Sequence, residues 1–186
     1  MLPITMQPHD TRSPINRPPM HLAAGPTAAV FTWTGDRWAH RITTGGGEAD
    51  GWTSLDGPSP ADDPRWPASP VLVELSRVEL SRVDRPRAAA AGESAVVGVG
   101  LAGRSHFSAS IAPDPEVADA IRFEIACRLH ESPLWLGSTY RAGGQIFQLT
   151  AEDDVATLPR TVVWAYSIGP QGIFGVRGAA VATRPA

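Results

Sequence analysis

Lysine is absent. All sixteen basic residues are arginine, and nineteen acidic residues leave a formal net charge of −3. With so much alanine, the arginine preference reads first as a coding bias. Its second reading is selection for bidentate contacts to anions. A negative chain offers no broad basic face, so no nucleic-acid partner is expected. Cysteine is nearly absent too, with Cys127 standing alone. One thiol excludes an intramolecular disulfide and a cysteine-based zinc site. No apolar run approaches the roughly 18 residues of a membrane helix. The first twenty residues lack a basic stretch followed by an apolar one. No secretory signal, no membrane association and a cytoplasmic setting are therefore expected. The five histidines are His9, His21, His40, His106 and His130. None forms His-x-His or His-x-x-x-His, so neither a metal nor another cofactor is expected.

What is abundant is turn chemistry. Glycine and proline number 18 each, and apolar residues make up 42% of the chain. That favours many turns around a modest core over long helices. Residues 1–28 carry Pro3, Pro8, Pro14, Pro18, Pro19 and Pro26 without periodicity. They are expected to form a disordered arm. A single β-rich domain is expected over residues 29–178, with a frayed tail at 179–186.

Within that domain Val30–Thr34 and Arg37–Ile42 alternate around Gly35-Asp36 and predict a hairpin. Residues 43–70 read as a long loop, and its Trp52 and Trp66 suggest a flap folded over the core. Val73–Arg77 repeats directly as Val78–Arg82. A five-residue period fits neither strand nor helix, so one strand from about Val71 to Ser76, extended by the second copy, is expected. An exposed edge there could pair two copies into a homodimer. Asp114-Pro115 is a good helix start. Yet Ile121, Phe123, Ile125, Cys127 and Leu129 alternate over the next stretch, so a strand is preferred. At most one short helical turn is left near 115–119. The result is an all-β, mostly antiparallel fold: a sandwich or open barrel of about eight short strands.

The densest cluster of chemistry is Gly98–Ile111. Gly98, Gly100 and Gly103 match the dinucleotide-binding string. That string works only where the last glycine opens a helix. Here His106–Ile111 alternates like a strand, so the nucleotide reading falls. The glycines instead suit a close approach by a neighbouring backbone. A hairpin is expected with a three-residue loop, Ala102-Gly103-Arg104. It would place Val97, Val99 and Leu101 on the core face beside Phe107, Ala109 and Ile111.

The opposite face then carries Arg104, His106, Ser108 and Ser110. If the Ile121–His130 strand pairs with it, Arg122, Glu124, Arg128 and His130 join them. Such a face could bind an anion or an acidic partner. Trp135, Tyr140 and Arg141, with Trp164, suggest an aromatic pocket of the kind carbohydrate binders use. The expected ligand-binding residues are thus Arg104, His106, Ser108, Arg128, His130, Trp135, Tyr140 and Arg141. A hydrolase set of Ser108, His130 and Glu124 can be written down, but no complete catalytic motif accompanies it. The sequence therefore leans away from an enzyme, toward a module binding a small anionic or carbohydrate-like molecule or a protein partner.

Overall fold

A computed structural model describes residues 17–45, 51–56, 66–80, 94–152 and 157–186. Among them are thirteen strands: β1 (Met20–Ala24), β2 (Thr27–Trp33), β3 (Trp38–Thr43), β4 (Trp52–Ser54), β5 (Glu74–Glu79), β6 (Ser94–Ala102), β7 (Ser105–Pro113), β8 (Ile121–Leu129), β9 (Gly137–Ala142), β10 (Gln145–Ala151), β11 (Arg160–Gly169), β12 (Gly172–Arg177) and β13 (Ala179–Pro185). They form two antiparallel sheets. One has seven strands in the order β1-β2-β3-β4-β9-β10-β13, the other six in the order β12-β11-β8-β7-β6-β5. The fold is an all-β sandwich, and neither sheet closes into a barrel. The described residues include no helix; residues 115–119 form bends and a turn. Asp114 still acts as a cap there, its carboxylate accepting from the N–H groups of Glu116 and Val117.

The six-stranded sheet follows the period of two. In β8, Ile121, Phe123, Ile125, Cys127 and Leu129 are all buried, and the residues between them are not. Phe107, Ala109 and Ile111 of β7 and Val162, Trp164, Tyr166 and Ile168 of β11 share that inner face. Phe31, Trp38 and Ile42 answer them from the seven-stranded sheet. Burying alternate side chains of both sheets supplies the main drive for this arrangement.

The described strands run past the expected domain bounds on both sides. Residues 1–16 lie outside the described residues, but the chain is already fixed at Arg17. Its guanidinium lies 4.0 Å above the Trp33 ring and donates to the Val73 carbonyl at 2.9 Å. Leu22 and Ala24 then bury their side chains as β1 pairs with β2. The prolines mask this short strand because they flank it and do not interrupt it. At the other end, residues 179–185 are in strand conformation. They add β13 to the open ladder of β10.

Part of the long loop 43–70 is built into the sandwich. Trp52 opens β4 and is buried, and Trp66 is 1% exposed. From Trp66 to Val73 the chain is stitched to both sheets: Ser69 Oγ donates to the Thr139 carbonyl, Trp38 N to that of Leu72, and Val73 N to that of Val99. Residues 46–50, 57–65 and the alanine-rich connector within 81–93 lie outside the described residues.

The central hairpin corrects one expectation. Ala102 pairs with Ser105, so the turn has two residues, Gly103-Arg104, with Gly103 at φ +55°. An even loop reverses the parity. Val97, Val99 and Leu101 sit opposite Ser110, Ser108 and His106 and are exposed. The inner face belongs to Val96, Gly98, Gly100 and Ala102. A Cβ on Gly100 would lie 2.0 Å from the Val71 carbonyl oxygen, and one on Gly98 would lie 2.6 Å from Leu75 Cδ2. The space that large side chains would take is filled by the Val71–Leu75 segment.

Candidate ligand-binding face

The reversed parity decides what the outer face of the six-stranded sheet presents. Cross-strand register sets its residues in rows. Leu101, His106, Arg128 and Thr161 form one row across β6, β7, β8 and β11. Glu74, Val99, Ser108, Ala126 and Val163 form the next, starting on β5. Ser76, Val97, Ser110, Glu124 and Ala165 form the third. Neighbours along a row are about 4.8 Å apart and rows about 7 Å apart.

Across the first two rows lies a groove of about 640 Å³, lined by Val73, Glu74, Val99, Leu101, His106, Ser108, Ala126, Arg128 and Thr161. That volume falls in the range of small-molecule sites. Its apolar part is unusually open: Val99 is 50% exposed and Leu101 53%. One end is cationic. Arg128 stands directly opposite His106, and the His106 and His130 rings are 6.0 Å apart. Arg104 projects from the turn beside them, exposed. Arg128 donates one hydrogen bond, to Thr161 Oγ1 at 3.3 Å. Among the described residues no carboxylate lies within ion-pair distance of Arg128. Glu131 is the acid near this end, close to the backbone of Gly103. Glu124, two rows away, pairs with Arg122 at 3.0 Å.

The sequence therefore located one part of this face and scattered the rest. Of the expected residues, His106, Ser108 and Arg128 line the groove, and Arg104 and His130 lie beyond its His106–Arg128 end. Trp135, Tyr140 and Arg141 do not join them. Arg141 is exposed on the outer face of the other sheet, level with Thr53 of β4. Trp135 is half-buried, and its Nε1 donates to Thr150 Oγ1 at 3.3 Å. Tyr140 is 1% exposed, inside the sandwich. Trp164 is buried as well and donates to Ser138 Oγ. These residues share no pocket: Tyr140 and Trp164 belong to the core, while Trp135 is half-buried and Arg141 faces outward. The hydrolase set does not assemble either. His130 lies four residues along the strand direction from the level of Ser108, about 14 Å, and six from Glu124, about 20 Å. A nucleophile and its base must be within hydrogen-bond reach.

Tyr140 belongs to a second polar cluster, which sequence reasoning missed. His40 Nε2 and the Tyr140 hydroxyl are 2.7 Å apart, and the Tyr140 and Tyr166 hydroxyls are 2.8 Å apart. Tyr166 also meets Ser138. The chain of bonds crosses from one sheet to the other. The rings stack with it: Phe123 lies 5.1 Å from Tyr166 and 5.3 Å from His40. Burial pushes His40 down to about 4, so it is neutral at pH 7. Burial, with Tyr166 beside it, holds Tyr140 well above the usual phenol range, and burial pushes Tyr166 up to about 12. Three neutral groups satisfying one another are a structural seam. A signal existed in the sequence: His40 alternates with Trp38 and Ile42, which places it on an inner face.

Cys127 is buried on the inner face, and burial pushes its thiol up to about 12, which leaves it unreactive. Among the described residues no cluster of three or more histidine, cysteine or acidic side chains could hold a metal. No helix among them is long and apolar enough to cross a membrane.

Fold and face together define a class: an antiparallel two-sheet β protein with a groove on one outer face. Comparison of the chain with protein-family models, with curated proteins and with solved structures finds no match. This architecture hosts many unrelated functions, so only the chemistry of the face itself bears on function.

Proposed function

We propose that the protein is a non-catalytic binding module of the cytoplasm. Its ligand is a small amphipathic anion, held on the outer face of the six-stranded sheet. One observation carries this reading: the register sets Arg128 opposite His106 at one end of a groove whose exposed walls are Val99 and Leu101. A carboxylate or phosphate head would accept hydrogen bonds from Arg128 and from His106. Charge-assisted bonds of this kind are the stronger ones. An apolar body would cover Val99, Leu101 and Ala126 and remove them from water. Ser108 and Thr161 supply further polar contacts between the two.

Calorimetric titration with decanoate, decanol and acetate tests this. Decanoate is expected to bind best, because it alone carries both the head and the body. Arg128→Gln is expected to weaken decanoate about tenfold or more. Leu101→Ser is expected to weaken decanoate and decanol alike. Equal binding of decanoate to the parent protein and to both variants would overturn the proposal. Binding of a neutral oligosaccharide in place of decanoate would overturn it as well.

A further inference from the structure

The two sheets expose four edges, and three of them carry features that discourage pairing. Strand β1 lies between Pro19 and Pro26. Strand β13 ends at Pro185. Strand β12 contains Gly172 and Gly175 and meets β11 through a bulge at Ala165/Tyr166. Prolines, bulges and glycine interruptions are how sheets blunt their edges. Strand β5 has none of these. It reads Glu74-Leu75-Ser76-Arg77-Val78-Glu79 and pairs with β6 in unbroken register. Ser76 to Glu79 are all exposed, and Val78 is 43% exposed. An edge strand left unpaired among the described residues, with an apolar residue on it, can act as a template for another strand.

We infer that β5 pairs antiparallel with β5 of a second copy, with Val78 on the two-fold axis. A two-fold that relates adjacent antiparallel strands stands perpendicular to the sheet. It keeps outer faces together, so residues directly opposite each other must share parity. This leaves few registers. Centring on Arg77 sets two arginines face to face, and centring on Glu74 or Glu79 sets two glutamates face to face. Centring on Leu75 or Ser76 leaves every charge opposite a neutral residue. Centring on Val78 sets Val78 against its twin and Arg77 opposite Glu79 of the second copy, twice. Apolar and opposite-charge pairs across strands are favourable, and like charges are not. Arg77 already donates to Ser94 Oγ of β6 and to the His21 carbonyl of β1, so its guanidinium lies on the inner-face side of this strand. The charges that would repel a random strand thus select this one.

The contact is short, so the dimer is expected to be concentration-dependent. It would join two six-stranded sheets into one and bring the two Val73–Glu74 groove rims onto one continuous face. The inference does not depend on what the groove binds.

Sedimentation velocity of the full chain over a hundredfold concentration range is the test. A monomer–dimer equilibrium is expected. Val78→Lys sets two like charges on the axis, and Glu79→Arg sets Arg77 against arginine. Each is expected to raise the dissociation constant more than about tenfold, with unchanged circular dichroism and melting temperature because both side chains are exposed. Val78→Ile is expected to preserve the dimer. A strict monomer at every concentration would overturn the inference, as would a dimer that survives Val78→Lys.

Discussion

Two polar clusters lie on opposite sides of the six-stranded sheet, one bridging β3, β9 and β11 inside the sandwich and one on the outer face of β7, β8 and β11. On the inner face, the two tyrosine hydroxyls, Ser138 and one nitrogen of His40 are joined to one another in a buried chain. On the outer face, Arg128 makes one bond to a threonine and stands opposite a histidine. The residue types are alike and the degree of satisfaction is not. Inside, an unmet polar group costs the fold, and the members of this chain partner one another. Outside, water serves until something better arrives. Convergent polar groups that the fold leaves to water are the ones available to a ligand. That contrast favours the outer face for the proposed binding site, although burial shifts the pKa values of the inner cluster. Perturbed titration marks functional sites often, but buried structural networks show it too.

The contrast can be broken hardest where the two faces share a wall. Gly100 has its backbone in the groove and no room on its inner side. Gly100→Val would drive a side chain into the Val71 carbonyl. It is expected to cost about 3 kcal/mol or more, read by urea unfolding, because a packed interior resists added volume. A loss under about 1 kcal/mol would mean that the Val71–Leu72 segment gives way easily and does not fix the groove.

Acid should act on the inner cluster through His40. Its folded value of about 4 lies below the ordinary 6.5. Between those values the unfolded chain binds the proton and the folded protein does not. Stability from this residue is therefore complete above about pH 6.5 and falls as the pH drops toward 4. The full effect is up to about 3 kcal/mol. Urea unfolding at several pH values, compared between the parent protein and His40→Gln, isolates it from the carboxylates. Parallel pH profiles for the two proteins would show that His40 is not held neutral.

Much of the fold could be read from alternation alone. The stretch 121–129 is the clearest case, since its side chains fill the inner face one by one and a helical reading leaves Phe123 among charges. Gly98–Leu101 shows where alternation fails. The larger residues Val97, Val99 and Leu101 look like the core face, but the true core face is filled by another segment's backbone. Counting apolar side chains cannot see a backbone that takes their place. The same limit split the expected site. Arg128 and His106 were legible because local pairing of two neighbouring strands brings them together. Tyr140 was misplaced because which side of β9 faces inward depends on β4 and the Trp66–Val73 segment, far away in sequence.

The smallest effects sharpen the contrast most. Tyr140→Phe removes one oxygen and leaves His40 Nε2 without its partner inside the sandwich. It is expected to cost about 1–3 kcal/mol, the usual penalty for orphaning a buried polar group. Decanoate binding should be unchanged once the protein is folded. Arg128→Gln and His106→Ala lie outside and should change stability by less than about 0.5 kcal/mol. Their effect should fall on binding instead. Calorimetric melting and ligand titration on the same three variants separate the two clusters. If Tyr140→Phe proved neutral while Arg128→Gln destabilised the fold, the polar groups outside would be structural, and the groove would lose its claim as the binding face.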